Sequence, residues 1–177
     1  MISSLFAAAV GRVFEAERER PPEGVFAAMF GAHFVEVEVD LHSGCVRVLR
    51  AVCAHDAGRV LNPRLACGQV QGGFLQGMGM ALQEERVLDN RTGHMLNAQM
   101  WAYRTPSILD APAHIEFVDA GVPDGGNSIG VKGLGEPPLI AAGAAIGNAI
   151  FNALGVRLRH YPITPAKILA ALSKSAI

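Results

Sequence analysis

The sequence predicts an α+β domain in which mixed or antiparallel strands pack against helices. Three observations carry this. Apolar and polar residues alternate through "HFVEVEVD" (33–40) and again through "CVRVLRAVCAHD" (45–56). Val70, Phe74, Met78 and Leu82 recur every fourth residue within "RLACGQVQGGFLQGMGMALQEE" (64–85). A run of Ala, Ile, Leu and Gly in "PPLIAAGAAIGNAIFNALG" (137–155) opens on two prolines and closes on Gly155.

Residues 1–14 read as a short helix, and "EAERERPPEG" (15–24) as a charged linker broken by Pro21, Pro22 and Gly24. That sets a boundary between an N-terminal helix and linker, 1–24, and a domain over 25–177. The two alternating runs are strands with one buried face, and "HSG" (42–44) between them makes a hairpin. The chain leaves the second strand through an Asn-Pro turn at 62–63. The period-four stripe over 64–85 predicts a helix with a core face. Residues 86–97 read as a strand and a turn, and "MWAYRTPS" (100–107) as an extended segment. "APAHIEFVD" (111–119) is a third strand, and "VRLRHYP" (156–162) a short fourth. The helix over 137–154 starts on prolines, stops at Gly155 and is apolar nearly all round, which predicts burial. A last amphipathic helix follows at 165–173.

The chain has 177 residues and a formal net charge of -1, so neither a nucleic-acid nor a membrane-surface partner is expected. No apolar run reaches the length of a membrane span without Gly, Asn or Pro interruption. The start "MISSLFAAAVGRVF" has no basic segment before its apolar part, unlike a secretory signal. Cys45, Cys53 and Cys67 are an odd count without CxxC spacing, which argues against disulfides, structural zinc and iron–sulfur ligation. A reducing compartment, the cytoplasm, is expected. His55–Asp56 reads as a turn with local hydrogen bonds rather than a ligand pair. Residues 133–138 lack the third glycine of GxGxxG, and no P-loop is present, so nucleotide binding is poorly supported.

Two features point to chemistry. Five glycines within 64–85 each cost about 1 kcal/mol against Ala, so they must admit something close. A neighbouring backbone and a flat ligand both fit. The second feature is "AGVPDGGNSIGVKGLGE" (120–136), whose seventeen residues exceed the usual length of an idle loop. It ends on Glu136 at the helix start. Capping is a poor full account of that carboxylate, because Pro137 and Pro138 remove two donors. Burial and a helix end act on such a carboxylate in opposite directions, which can poise it to take a proton.

"GVKGLGEPPLIAAGAAIGNAIFNALGVRLRHYPITPAKIL" resembles the C-terminal end of the molybdenum-binding subunit of the xanthine dehydrogenase/aldehyde oxidase family. "FGAHFVEVEVD", "AHDAGRVLNP" and "GQVQGGFLQGMGMALQEE" resemble three further blocks of that family, in the same order. Together they cover residues 26–172. The resemblance implies the C-terminal half of a molybdopterin-binding domain. It implies that Glu136 is the base facing the molybdenum and that Gln69 lies near the metal and its dithiolene. Gly68 and Gly72 belong to the same block. Lys132, Gly133, Leu134 and Gly135 belong to the stretch laid against the cofactor. No residue of this chain need ligate the metal, which the pterin sulfurs hold.

The resemblance further implies a molybdenum hydroxylase acting on an aldehyde or N-heteroaromatic compound. The cofactor would be molybdenum-molybdopterin in its cytosine dinucleotide form. Its partners would be the upstream part of the molybdenum subunit, a 2Fe-2S subunit and an FAD subunit. A complex exported to the periplasm is the alternative location. Because the family's subunit is several times longer, this chain alone should be inactive, and a non-catalytic scaffold is the competing reading.

Overall fold

A computed structural model describes residues 28–175; the helix and linker expected over 1–24 lie outside them. The alternating runs form β1 (Gly31–Val39) and β2 (Val46–His55), paired antiparallel with a register shift between Glu36 and Val37. β3 (His114–Asp119) pairs parallel with β2, so the sheet is mixed, in the order β1–β2–β3. Among the described residues, three helices pack with the sheet: α1 (Pro63–Leu82), α2 (Pro137–Leu154) and α3 (Pro165–Ser175). The Asn62 side chain caps α1 by accepting from the Leu65 N–H at 3.1 Å. Gly155, at φ 71°, ends α2 in the left-handed region where a side chain would be strained.

The core lies between the sheet and the helices. Val48, Ala51 and Cys53 of β2 meet Val70, Phe74 and Met78 of α1 and Ala142, Ile146 and Ile150 of α2. Ile163 and Ile168 close it from the C-terminal side. The period-four stripe is therefore the core face of α1, with Leu82 packed at its margin. The helices approach closely because two glycines leave room. A Cβ on Gly73 would stand 2.7 Å from the Pro138 Cβ. One on Gly77 would stand 2.5 Å from the Leu139 carbonyl oxygen and 2.6 Å from the Ala142 Cβ.

Four expectations are corrected. Residues 86–97 form no strand: a single bridge joins Leu88 and Met95, because Asp89 turns the chain by accepting from the Arg91 N–H and the Thr92 hydroxyl. "MWAYRTPS" is not extended: Ala102 and Tyr103 both donate to the Gln99 carbonyl, each at 2.9 Å, and Trp101 is left 87% exposed. Residues 156–162 make no strand either; they run back along α2. Arg157 donates to the Asn148 side chain at 2.7 Å and stacks 4.0 Å above the Phe151 ring, while the Tyr161 hydroxyl donates to the Gly143 carbonyl. The alternation there reflects a chain lying along a helix. Finally, α2 is buried on one face only, through Pro138, Ala142, Ile146, Gly147 and Ile150; Ile140 is 74% exposed.

A polar pair sits at the margin of the apolar core. His33 of β1 and His55 of β2 share a hydrogen bond, Nε2 to Nε2 at 2.7 Å, with His33 packed against Phe74. Neither Nδ1 has a partner among the described residues. Burial, helped by the neighbouring His55, holds His33 down at about 4 against an ordinary 6.5. Burial lowers His55 as well.

Two predictions follow from this packing. Gly77→Ala should destabilise the chain by about 2 kcal/mol through overpacking, although Ala is the better helix former. Gly72→Ala, whose Cβ meets nothing within 4 Å, should stabilise it by up to about 1 kcal/mol. Thermal unfolding of the two variants checks the contrast. The His pair predicts acid sensitivity with a definite sign. The folded value of His33 lies below the unfolded one, so its contribution is complete above pH 6.5 and falls away as pH drops toward about 4. Melting temperatures across that window should fall for the native chain and flatten in His33→Gln.

Candidate functional site

The start of α2 collects most of the predicted residues. Glu136 occupies the N-cap position at φ -93° and ψ -26°, and its side chain makes no capping hydrogen bond. Among the described residues it is left exposed, which corrects the expected burial. Its backbone carbonyl accepts from the Leu139 N–H at 3.0 Å, so the turn into the helix is fixed while the carboxylate stays unengaged by the cap. Gly133 and Gly135 are exposed just before it, and Leu134 packs against the core margin.

α1 supplies the second surface. Gly73, midway along α1, lies against Pro138, and Gly72 and Gln69 precede it by one residue and by about one turn. Gly68, Gln69 and Gly72 are exposed. The five glycines thus divide by purpose. Gly73 and Gly77 admit α2, and Gly79 admits Pro106 and the Glu84 side chain. A Cβ on Gly68 or Gly72 would meet nothing within 4 Å, so no packing among the described residues requires them. What remains is a smooth strip beside an amide side chain, at the helix crossing that carries Glu136. A large flat cofactor with polar edges fits such a strip, since a bare helix surface lets it approach the backbone. Gln69, Gly68 and Gly72 on one side and Gly133 to Gly135 on the other are the residues that would hold it. Among the described residues, no group of three or more His, Cys, Asp or Glu is placed to hold a metal ion.

Lys132 lies apart from this strip. Its ammonium meets the Asp56 carboxylate at 2.5 Å, with the two side chains 11% and 2% exposed. The other Asp56 oxygen accepts from the N–H groups of Gly58 and Val122 at 3.0 and 3.1 Å. Lys132 foremost, with these two amides, holds the Asp56 carboxyl below the usual carboxylate range against the opposing effect of burial. His55 ends β2 instead of forming the expected turn; the local hydrogen bond expected there is found at Asp56, from the Gly58 N–H, but the partnership of Asp56 with Lys132 was not legible. The only hint was a single lysine in a loop with no acidic neighbour after Asp124 and before Glu136. The His33–His55 contact was likewise missed, because 22 residues separate them.

Comparison with known proteins now bears on this geometry. Residues 5–112, more than half of the chain, match the family model of the molybdopterin cofactor-binding domain. Over 146 residues the chain is 46% identical to the aldehyde oxidoreductase molybdenum-binding subunit PaoC of Escherichia coli, covering 81% of this chain and 20% of that protein. It is 37% identical over 145 residues to the nicotine 6-hydroxylase large subunit of Paenarthrobacter nicotinovorans, covering 80% and 17%. The aldehyde oxidoreductase of Desulfovibrio gigas superposes with a TM-score of 0.74 at 34% identity, covering 82% of this chain and 15% of that one. The chain thus spans about a fifth or less of the length of these relatives. The glycine strip, the mixed sheet under two crossed helices and these likenesses agree, and the chain belongs to the molybdopterin cofactor-binding domain family of molybdenum-binding oxidoreductase subunits.

Proposed function

We propose that this chain supplies the general base, Glu136, and part of the cofactor surface of a molybdenum hydroxylase that oxidises an aldehyde or N-heteroaromatic compound with oxygen from water. The observation that carries the reading is an uncapped carboxylate at the start of a helix docked on a glycine-lined neighbour. A carboxylate used for capping would have its lone pairs engaged; this one is available to take a proton. When bound, the cofactor supplies the oxidising centre and the Lewis acid. The chain's own residues bind and orient. Gly68 and Gly72 give close backbone approach, Gln69 offers an amide donor and acceptor at the same strip, and Gly133 to Gly135 lie beside it. Glu136 holds the proton.

The remaining four-fifths of a relative's length would bring the rest of the pocket and cover Glu136, raising the strength of every charge interaction at the site. The upstream part of the molybdenum subunit, a 2Fe-2S subunit and an FAD subunit complete the proposed complex. The cofactor is proposed in its cytosine dinucleotide form, and the location as cytoplasmic, or periplasmic within an exported complex.

Glu136→Gln in the assembled complex tests the assignment. Removing a general base of this kind should lower kcat by about 10²–10⁴-fold, with molybdenum content unchanged. Unchanged turnover at full molybdenum loading would reject the role and favour a scaffold.

A further inference from the structure

The geometry points to Asp56 and Lys132 as positioning residues for the proposed reaction: their buried ion pair anchors the segment that presents Glu136. This rests on the reading of Glu136 as base, but the contacts stand independently of it.

One carboxylate ties three pieces of chain together. Asp56 follows directly on β2, its Oδ1 accepts from Gly58 and from Val122 in the glycine-rich loop, and its Oδ2 takes the Lys132 ammonium. Backbone bonds run alongside. Lys132 N–H donates to the Ala57 carbonyl at 2.9 Å and Arg59 N–H to the Gly130 carbonyl at 2.7 Å, with a bridge between Gly58 and Val131. Asn127 closes the loop from within, accepting from the Val131 N–H and donating to its carbonyl. The next fixed points along the chain are Leu134, packed at the core margin, and Pro138, seated on Gly73. Glu136 therefore hangs between two anchors, and the stretch between them is rich in glycine.

An ion pair this buried is a poor device for stability alone, since desolvation consumes most of the attraction. It is a good device for geometry, because the ammonium has one acceptor to meet and the carboxylate is itself held by two amides. Misplacement of a reacting group by about 1 Å can cost on the order of 10²-fold in rate. That is the scale on which this anchor matters.

The test uses the full molybdenum subunit in its complex, with Lys132→Met and Asp56→Asn. The second keeps an oxygen for Gly58 and Val122 while removing the charge, so it serves if the first does not fold. In the folded variants, amides 130–135 should exchange hydrogen at least about 10-fold faster while those of α1 and β2 stay protected. Turnover should fall about 10- to 100-fold in kcat with little change in KM. Unchanged exchange at 130–135 overturns the proposal. So does an equal acceleration across α1 and β2, which would mark a merely structural pair, and so does a loosened loop with unaltered kcat while Glu136→Gln abolishes turnover. If Glu136→Gln is itself silent, the base assignment fails and the exchange result alone decides the anchor.

Discussion

Everything at the site depends on how closely α1 and α2 can approach. The limit is set at Gly73 and Gly77, where any side chain would run into Pro138, Leu139 and Ala142. Glycine inside a helix costs about 1 kcal/mol relative to Ala. Burying Phe74, Met78 and Ile146 in the same contact contributes about 1.5–3 kcal/mol for each side chain, which more than offsets it. The outcome is directional as well as stabilising. Seating Pro138 on Gly73 fixes where α2 begins, and Glu136 is the residue just before that start. Of the two prolines that deny Glu136 its capping partners, Pro138 is also the residue that seats the helix on Gly73.

Polar groups within the fold do a different task. The His33–His55 pair and the Asp56–Lys132 pair occupy adjoining positions at the end of β2, one under the sheet and one at its exit. Neither is a strong source of stability, since each keeps polar atoms out of water. Together they define one arrangement of the strand end, the glycine-rich loop and the chain leading to α2. Uniqueness of arrangement is what a base aimed at a cofactor requires.

Much of this was legible in the sequence. Period-two alternation located β1 and β2, and period-four spacing located the buried face of α1, because burial on one side leaves those repeats behind. Prolines and Gly155 framed α2 correctly. The strand reading failed at 156–162, which lies along a helix, and the extended reading at 100–107, where Gln99 draws the chain into a turn. The glycines of α1 could be recognised as making room, but not for what. Only the structure separates Gly73 and Gly77, which meet α2, from Gly68 and Gly72, where a Cβ would meet no described residue. Asp56 and Lys132, 76 residues apart, could not be paired from sequence at all.

The exposed side of α2 and the exposed Glu136 describe the same circumstance. A helix apolar on every face has only one face covered, and the carboxylate at its start has none of the enclosure a base would need. In the larger subunit both would be covered at once. The most direct measurement is an experimental structure of the assembled, cofactor-loaded subunit. The account predicts the Glu136 carboxylate enclosed and facing the metal, with the cofactor lying along Gly68 and Gly72. A carboxylate open to bulk water, or a cofactor bound away from that strip, would contradict it.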